Sequence, residues 1–123
     1  MPQSTIIITT DEFAEWFLGL NSRESEDVAH VVRMLEQTGV TLGAPYSSDI
    51  RGASFALREL RPKQGHSPLR IFYAFDPRRD AVLLLGGDKG GESTKGFYRS
   101  MIRSAEKIWT TYLAELEAGK HDE

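Results

Sequence analysis

A chain of 123 residues is long enough for one buried core and too short for two ordinary domains, so residues 1 to 123 are expected to form a single domain. With 40% apolar and 27% charged residues the composition indicates neither disorder nor a membrane class, and the longest apolar run, Ala81-Val82-Leu83-Leu84-Leu85, falls far short of the roughly 20 residues of a membrane-spanning helix. The net charge of −3 argues at first against a polyanionic partner, but residues 1 to 50 carry two basic and eight acidic groups whereas residues 51 to 107 carry twelve and six. Such segregation implies a basic working surface, with acidic segments that fold away from it or mimic its ligand. The absence of cysteine removes disulfides, thiolate nucleophiles and zinc-thiolate sites. Together with the lack of a basic-then-apolar leader, it sets the expected location as the cytoplasm.

In chain order, Ile6-Ile7-Ile8 between threonines reads as a short strand. Thr9 and Glu12 have capping-box spacing, and Phe13, Trp16, Phe17 and Leu20 continue at helical intervals. Asn21-Ser22 interrupts the pattern before Val28, Val31, Val32 and Leu35 resume it, giving two amphipathic helices joined tightly, with Gly39 placed to end the second. Residues 41 to 52 lack periodicity and read as a loop. Three strands are predicted over Phe55 to Leu60, Leu69 to Phe75 and Ala81 to Leu85, with connections short enough for an antiparallel meander. After the glycine-rich segment at 86 to 91, Ser93 or Thr94 can cap a long helix. Its stripe of Tyr98, Met101, Ile102, Ala105, Trp109, Tyr112, Leu113 and Leu116 runs on until Gly119. The expected class is α+β, in the order β-α-α-β-β-β-α, with a two-helix hairpin and a long C-terminal helix.

The central strands carry the first candidate constellation: Arg58, Arg61, Lys63 and Arg70. Strand alternation places Arg70 with Phe72 and Ala74, opposite Leu69, Ile71, Tyr73 and Phe75. An arginine there is costly unless it faces a functional cleft or is paired, and Glu59 across the hairpin is the obvious partner; both readings stay open. The segment Gly86-Gly87-Asp88-Lys89-Gly90-Gly91 fits neither the G-x-x-x-x-G-K-S/T nor the G-x-G-x-x-G phosphate cradle. It does set Lys89 before a helix N-terminus, where an anion is favoured. Tyr98 on the first turn of that helix either packs in the core or sends its hydroxyl to the cleft. His30, His66 and His121 have no neighbours at metal-ligand spacing, and neither a metal nor a cofactor is expected.

The runs LRELRP (57 to 62), PLRIFYAFDPRR (68 to 79), AVLLLGGDKGG (81 to 91) and FYRSMIRSAEKIW (97 to 109), with TTDEFAEWFLGL at 9 to 20, resemble the phage Gp49-like branch of the RelE/HigB toxins. The resemblance covers nearly the whole chain in the same element order and implies a RelE-like fold. RelE-like and HigB-like members cleave mRNA on the ribosome, whereas ParE-like members poison DNA gyrase. The implied function is therefore the toxin of a type II toxin-antitoxin system, a metal-independent mRNA endonuclease that inhibits translation. The alternatives are a ParE-like gyrase inhibitor without nuclease activity, or a degenerate regulator that only binds its partner. A cognate antitoxin, commonly a helix-turn-helix protein, is implied, with mRNA and the ribosome as further partners, DNA reached only through the antitoxin, and no membrane.

Carried over by position, the resemblance puts Arg70 at the catalytic strand arginine, Arg58 and Arg61 at the cations of the preceding strand, and Lys89 and Tyr98 near the basic and tyrosine positions that follow. RNA binding falls to Arg58, Lys63, Arg78, Arg79, Lys95 and Arg99. The closely spaced RelE lysines are arginines here, which leaves the general base open. RNA supplies its own nucleophile, the 2′-hydroxyl, so in-line attack needs positioning and charge stabilisation rather than a metal. Guanidinium groups suit the phosphate. Tyr98 or Lys89 is left to carry the proton, Tyr98 being favoured, provided a cationic cleft depresses its pKa.

Overall fold

The computed structural model describes residues 4–91 and 93–119. Its elements are β1 (Ile7–Thr9), α1 (Asp11–Leu18), α2 (Ser22–Thr38), a 3-10 turn (Gly39–Thr41), β2 (Ser47–Asp49), β3 (Arg58–Leu60), a second 3-10 turn (Pro62–Gly65), β4 (Leu69–Phe75), β5 (Ala81–Asp88) and α3 (Thr94–Glu117). The strands form one sheet in the order β1-β5-β4-β3-β2, in which β1 runs parallel to β5 and every other pairing is antiparallel.

The α+β expectation and its element order agree with this architecture, with four local differences. The helix start lies one residue later than the capping-box spacing suggested: the Thr10 hydroxyl accepts from the Phe13 amide and donates to Leu84 O at 2.7 Å, which ties α1 to β5. A short edge strand, β2, occupies the stretch read as a loop. Its residues Ser47, Ser48 and Asp49 show no apolar alternation, so the strand is held by pairing to β3 and by a 2.6 Å bond between the Ser47 and Tyr73 hydroxyls. The strand expected from Phe55 begins only at Arg58, because Phe55 leaves the sheet and stacks on Trp109 at 5.0 Å. Finally, β5 continues through Gly86, Gly87 and Asp88, so half of the glycine-rich segment is sheet rather than loop.

Both faces of the sheet are covered, which explains why β4 reads as an almost unbroken apolar run. Leu69, Ile71 and Tyr73 join Phe13, Val28, Val31 and Leu35 on the α1/α2 side. Phe72 meets Val82, Leu84, Phe97, Met101 and Ala105 on the α3 side. The register slips between Phe72 and Tyr73, whose partners on β5 are Leu85 and Leu83, so Leu84 is the extra residue of a β-bulge. At the other end of β4, the buried Asp76 accepts from the Arg78 and Asp80 amides and from the Tyr112 hydroxyl at 2.7 Å, clamping the β4–β5 turn to α3.

The two sheet glycines serve close packing. A Cβ on Gly86 would lie 2.2 Å from the Trp16 ring, and one on Gly87 would lie 3.0 Å from Met101 Sδ. Gly86→Ala is therefore expected to destabilise the fold by about 1–3 kcal/mol, as overpacking does, seen as a fall in Tm of several degrees. An unchanged Tm would mean that Trp16 can leave its seat at no cost.

Candidate functional site

Arg70, the second residue of β4, points to the α3 side as strand alternation requires, and is 1% exposed. Its Nη1 donates to Ser67 O at 2.6 Å and Leu69 O at 2.8 Å, while Nε lies 3.6 Å from Glu59 Oε1 and has no hydrogen-bond acceptor. Glu59 pairs across the sheet with Phe72, which sets it diagonally from Arg70 on the same face. Pairing with Glu59 is thus realised, but deep in the fold rather than at a solvated hairpin. Both charges are desolvated, so surface-pair energetics do not apply.

The Glu59 carboxylate is the hub of the cluster. Oε1 accepts from the Tyr98 hydroxyl at 2.5 Å and Oε2 from the Ser48 hydroxyl at 3.0 Å. Tyr98 sits on the first turns of α3, which begins at the Ser93 N-cap, and its ring stacks on Phe72 with centroids 5.8 Å apart. The expectation that cations depress the Tyr98 pKa is overturned. Burial, then the hydrogen bond and charge of Glu59, push it up to about 12, with Arg70 opposing only in part. The nearest charge to the hydroxyl is an anion, so at neutral pH the phenol holds its proton and donates it to Glu59.

The other expected residues fall into three groups. Arg61 follows β3 directly, and extending the register from Leu60 and Ile71 by one residue sets it opposite Arg70. Its guanidinium lies over Gly65, where φ is +92° and a Cβ would come within 3.1 Å of it, and its buried Nε has no hydrogen-bond partner. Lys89 follows β5 beside the start of β4, its amide bonded to Pro68 O. Lys95 and Arg99 are exposed on α3 either side of Tyr98. These four cations and Arg70 share one end of the sheet. Two others lie on the α2 side. Arg58 is bound by Ser47, Tyr73, Leu42 O and Asp49, and Lys63 borders a groove with Asp27, His30 and His66. Arg78 and Arg79 occupy the β4–β5 turn, roughly 25 Å from Arg70 along the strand.

Sequence reasoning treated Glu59 only as a counter-charge and did not single out Ser48. The signal for Glu59 was the one that exposed Arg70: alternation puts it on the same strand face as the buried Leu57. Ser48 left no such signal, being in a polar edge strand. Among the described residues no three His, Cys, Asp or Glu side chains converge to hold a metal ion, and His121 lies outside them.

Tyr98 and Tyr112 both have pKa values raised from 10.0 to about 12, Tyr112 by burial and then by Asp76. The folded chain keeps these protons where the unfolded chain releases them, so the stability they contribute is complete below pH 10 and is lost as pH rises towards about 12. Denaturant melts at about pH 9 and about pH 11.5 should show a smaller alkaline loss for Tyr98→Phe than for the wild type; equal losses would remove Tyr98 from the cause.

A family model described as phage derived protein Gp49-like matches residues 15–110. Two Mycobacterium tuberculosis proteins named as putative toxins, HigB2 and HigB3, are each 36% identical to the chain, over 112 and 114 residues that make up 89% and 92% of it. The chain spans 55% of the length of HigB2 and 97% of that of HigB3. In fold it is similar to the RelE–RelB complex of Pyrococcus horikoshii, with TM-score 0.54 at 13% identity over 73% of this chain and 100% of that one. It is similar also to the isolated Escherichia coli RelE toxin, with TM-score 0.52 at 14% identity over 81% and 98%. With the Gp49-like match spanning most of its length and two HigB relatives at 36% identity, the chain belongs to the Gp49-like family within the RelE/HigB toxin superfamily.

Proposed function

We propose that this chain is the toxin of a type II toxin-antitoxin system, acting in the cytoplasm as a single domain that cleaves mRNA on the ribosome and so stops translation. The observation that carries this reading is the Arg70–Glu59–Tyr98 cluster at the end of the sheet where Arg61, Lys89, Lys95 and Arg99 gather. Opposite charges buried together on an otherwise apolar sheet face stabilise a fold less well than apolar packing, and such clusters mark sites of chemistry. The relatives named as toxins and the RelE–RelB complex support the toxin class and a cognate antitoxin. An antitoxin of the helix-turn-helix kind would be the only route to DNA.

In the reaction the 2′-hydroxyl attacks the adjacent phosphate in line. Arg70 and Arg61 stabilise the charge that develops on the phosphoryl oxygens, each such donor being worth on the order of 3 kcal/mol. Tyr98 carries the nucleophile's proton, which it can take only while giving up its own, and Lys89 stands by the phosphate. No metal is needed, because the attacking oxygen comes with the substrate and the arginines supply the positive charge. Lys95 and Arg99 hold the RNA backbone near the break. Arg58, Lys63, Arg78 and Arg79 sit away from the cluster and serve more distant contacts with mRNA or ribosome. No helix among the described residues is long and apolar enough to cross a membrane.

The burial of Arg70 decides the design of the test. Arg70→Ala would strand a buried carboxylate at a cost of about 3–5 kcal/mol, confounding chemistry with unfolding. Arg70→Lys keeps the charge opposite Glu59 and removes the guanidinium fork. Expression of the chain alone should arrest growth and create new mRNA 5′ ends, and Arg70→Lys should lower that cleavage by about 10²-fold, the scale of losing one transition-state donor. Growth arrest through inhibited supercoiling without RNA products would instead identify a gyrase inhibitor. Absence of arrest would identify a partner-binding regulator.

A further inference from the structure

Glu59 is the one charged group at the centre of the cluster that the reaction above leaves idle. Three elements face its carboxylate: β2 through Ser48 at 3.0 Å, β4 through Arg70 at 3.6 Å and α3 through Tyr98 at 2.5 Å. Of these only Arg70 and Tyr98 carry or exchange charge. We propose that Glu59 is the positioning residue of a two-step proton relay, in which Tyr98 takes the proton of the attacking 2′-hydroxyl while handing its own to Glu59 Oε1. The proposal rests on the RNA-cleaving reading and identifies the acceptor that this reading lacks.

The atoms balance without a co-reactant other than water. The O2′–H bond breaks as its proton passes to the phenolic oxygen, and the Tyr98 O–H bond breaks as that proton passes to Glu59. The O2′ electron pair forms the new bond to phosphorus. The P–O5′ bond breaks and the leaving oxygen takes a proton from solvent water, leaving a 2′,3′-cyclic phosphate and a 5′-hydroxyl. Glu59 then returns its proton to solvent.

Two features favour a relay over direct action by either group. Tyr98 with its pKa at about 12 is a poor base by itself, but a phenol already bonded at 2.5 Å to a carboxylate can gain one proton while losing another and never becomes a free phenolate. The second feature is charge. Before reaction Arg70 is opposed by Glu59. Once Glu59 is neutralised by the incoming proton, the field of Arg70 is no longer cancelled, and this happens as negative charge develops on the phosphate. Its Nε, which has no acceptor in the resting cluster, is consistent with a guanidinium not yet committed to one.

A ribosome programmed with a short mRNA in a reconstituted translation reaction provides the assay. Glu59→Gln keeps the shape and removes the ability to accept a proton, so cleavage per folded molecule should fall by about 10²-fold, with the stability lost by leaving Arg70 without its counter-charge measured separately by a melt. Because Glu59 must be ionised to accept, the wild-type rate should fall as pH is lowered, and Glu59→Gln should lose this dependence. In a Tyr98→Phe background Glu59→Gln should cost nothing further, since the relay is already cut. A merely structural Glu59 would give additive losses and an unaltered pH profile. Should Glu59→Gln not fold, the pH profile of Tyr98→Phe decides: the relay requires the acid limb to disappear there, and its persistence overturns the proposal. Wild-type protein that cleaves alongside a folded Glu59→Gln within about threefold of it overturns the relay alone, whereas wild-type protein that cleaves no RNA overturns the nuclease reading and the relay with it.

Discussion

The ion pair between Arg70 and Glu59 is the constraint around which the sheet is arranged. Two charges taken out of water on a face otherwise built of Leu57, Phe72, Val82 and Leu84 are tolerable only if most of their donors and acceptors are met, and here every buried atom of the pair but Arg70 Nε has a hydrogen-bond partner. The backbone oxygens of Ser67 and Leu69 take Arg70 Nη1, and Ser48 and Tyr98 supply hydroxyls to the two carboxylate oxygens. Each helper comes from a different place in the chain. The polar edge strand brings Ser48, the first turns of α3 bring Tyr98, and the β3–β4 register sets the two charges on one face.

The sheet also acts as a partition between charges. The basic excess of the central segment suggested one surface, yet its members separate across two faces and two ends. Arg58 lies on the α1/α2 side, its guanidinium shared among Ser47, Tyr73, Leu42 O and Asp49, so it serves to hold the edge strand. Arg78 is drawn towards Asp80 at the far turn. Beside Arg70 stands a smaller group, Arg61, Lys89, Lys95 and Arg99, with a carboxylate in its middle. A segment's net charge counts these side chains equally, whereas their chemistry depends on which face of the sheet each one meets.

Much of this was legible in the sequence, for physical reasons. The helices announced themselves through apolar spacing, and β4 through a run that must be covered on both faces. Alternation within that run placed Arg70 correctly on the side of Phe72 and Ala74. The edge strand was not legible, because Ser47, Ser48 and Asp49 owe their conformation to β3 and to the Tyr73 hydroxyl rather than to their own preferences. The protonation of Tyr98 was misjudged for a related reason. Counting cations nearby in the sequence predicted a lowered pKa, while the atom that touches the hydroxyl belongs to Glu59, 39 residues away. Local pattern reports which face a side chain occupies; what it meets there is decided by another strand.

The two phenol–carboxylate bonds of α3 have a joint consequence. Tyr98 reaches Glu59 near one end of the helix and Tyr112 reaches Asp76 nearer the other. Their fourteen-residue separation is close to four helical turns, so both hydroxyls leave the helix on the same side. Together they fix the rotational phase of α3 as well as its position: turning the helix about its axis, or sliding it along the sheet, would break both contacts at once. α3 is accordingly a keyed shaft rather than a sliding lid: side chains at the basic end can adjust while the helix itself stays in register.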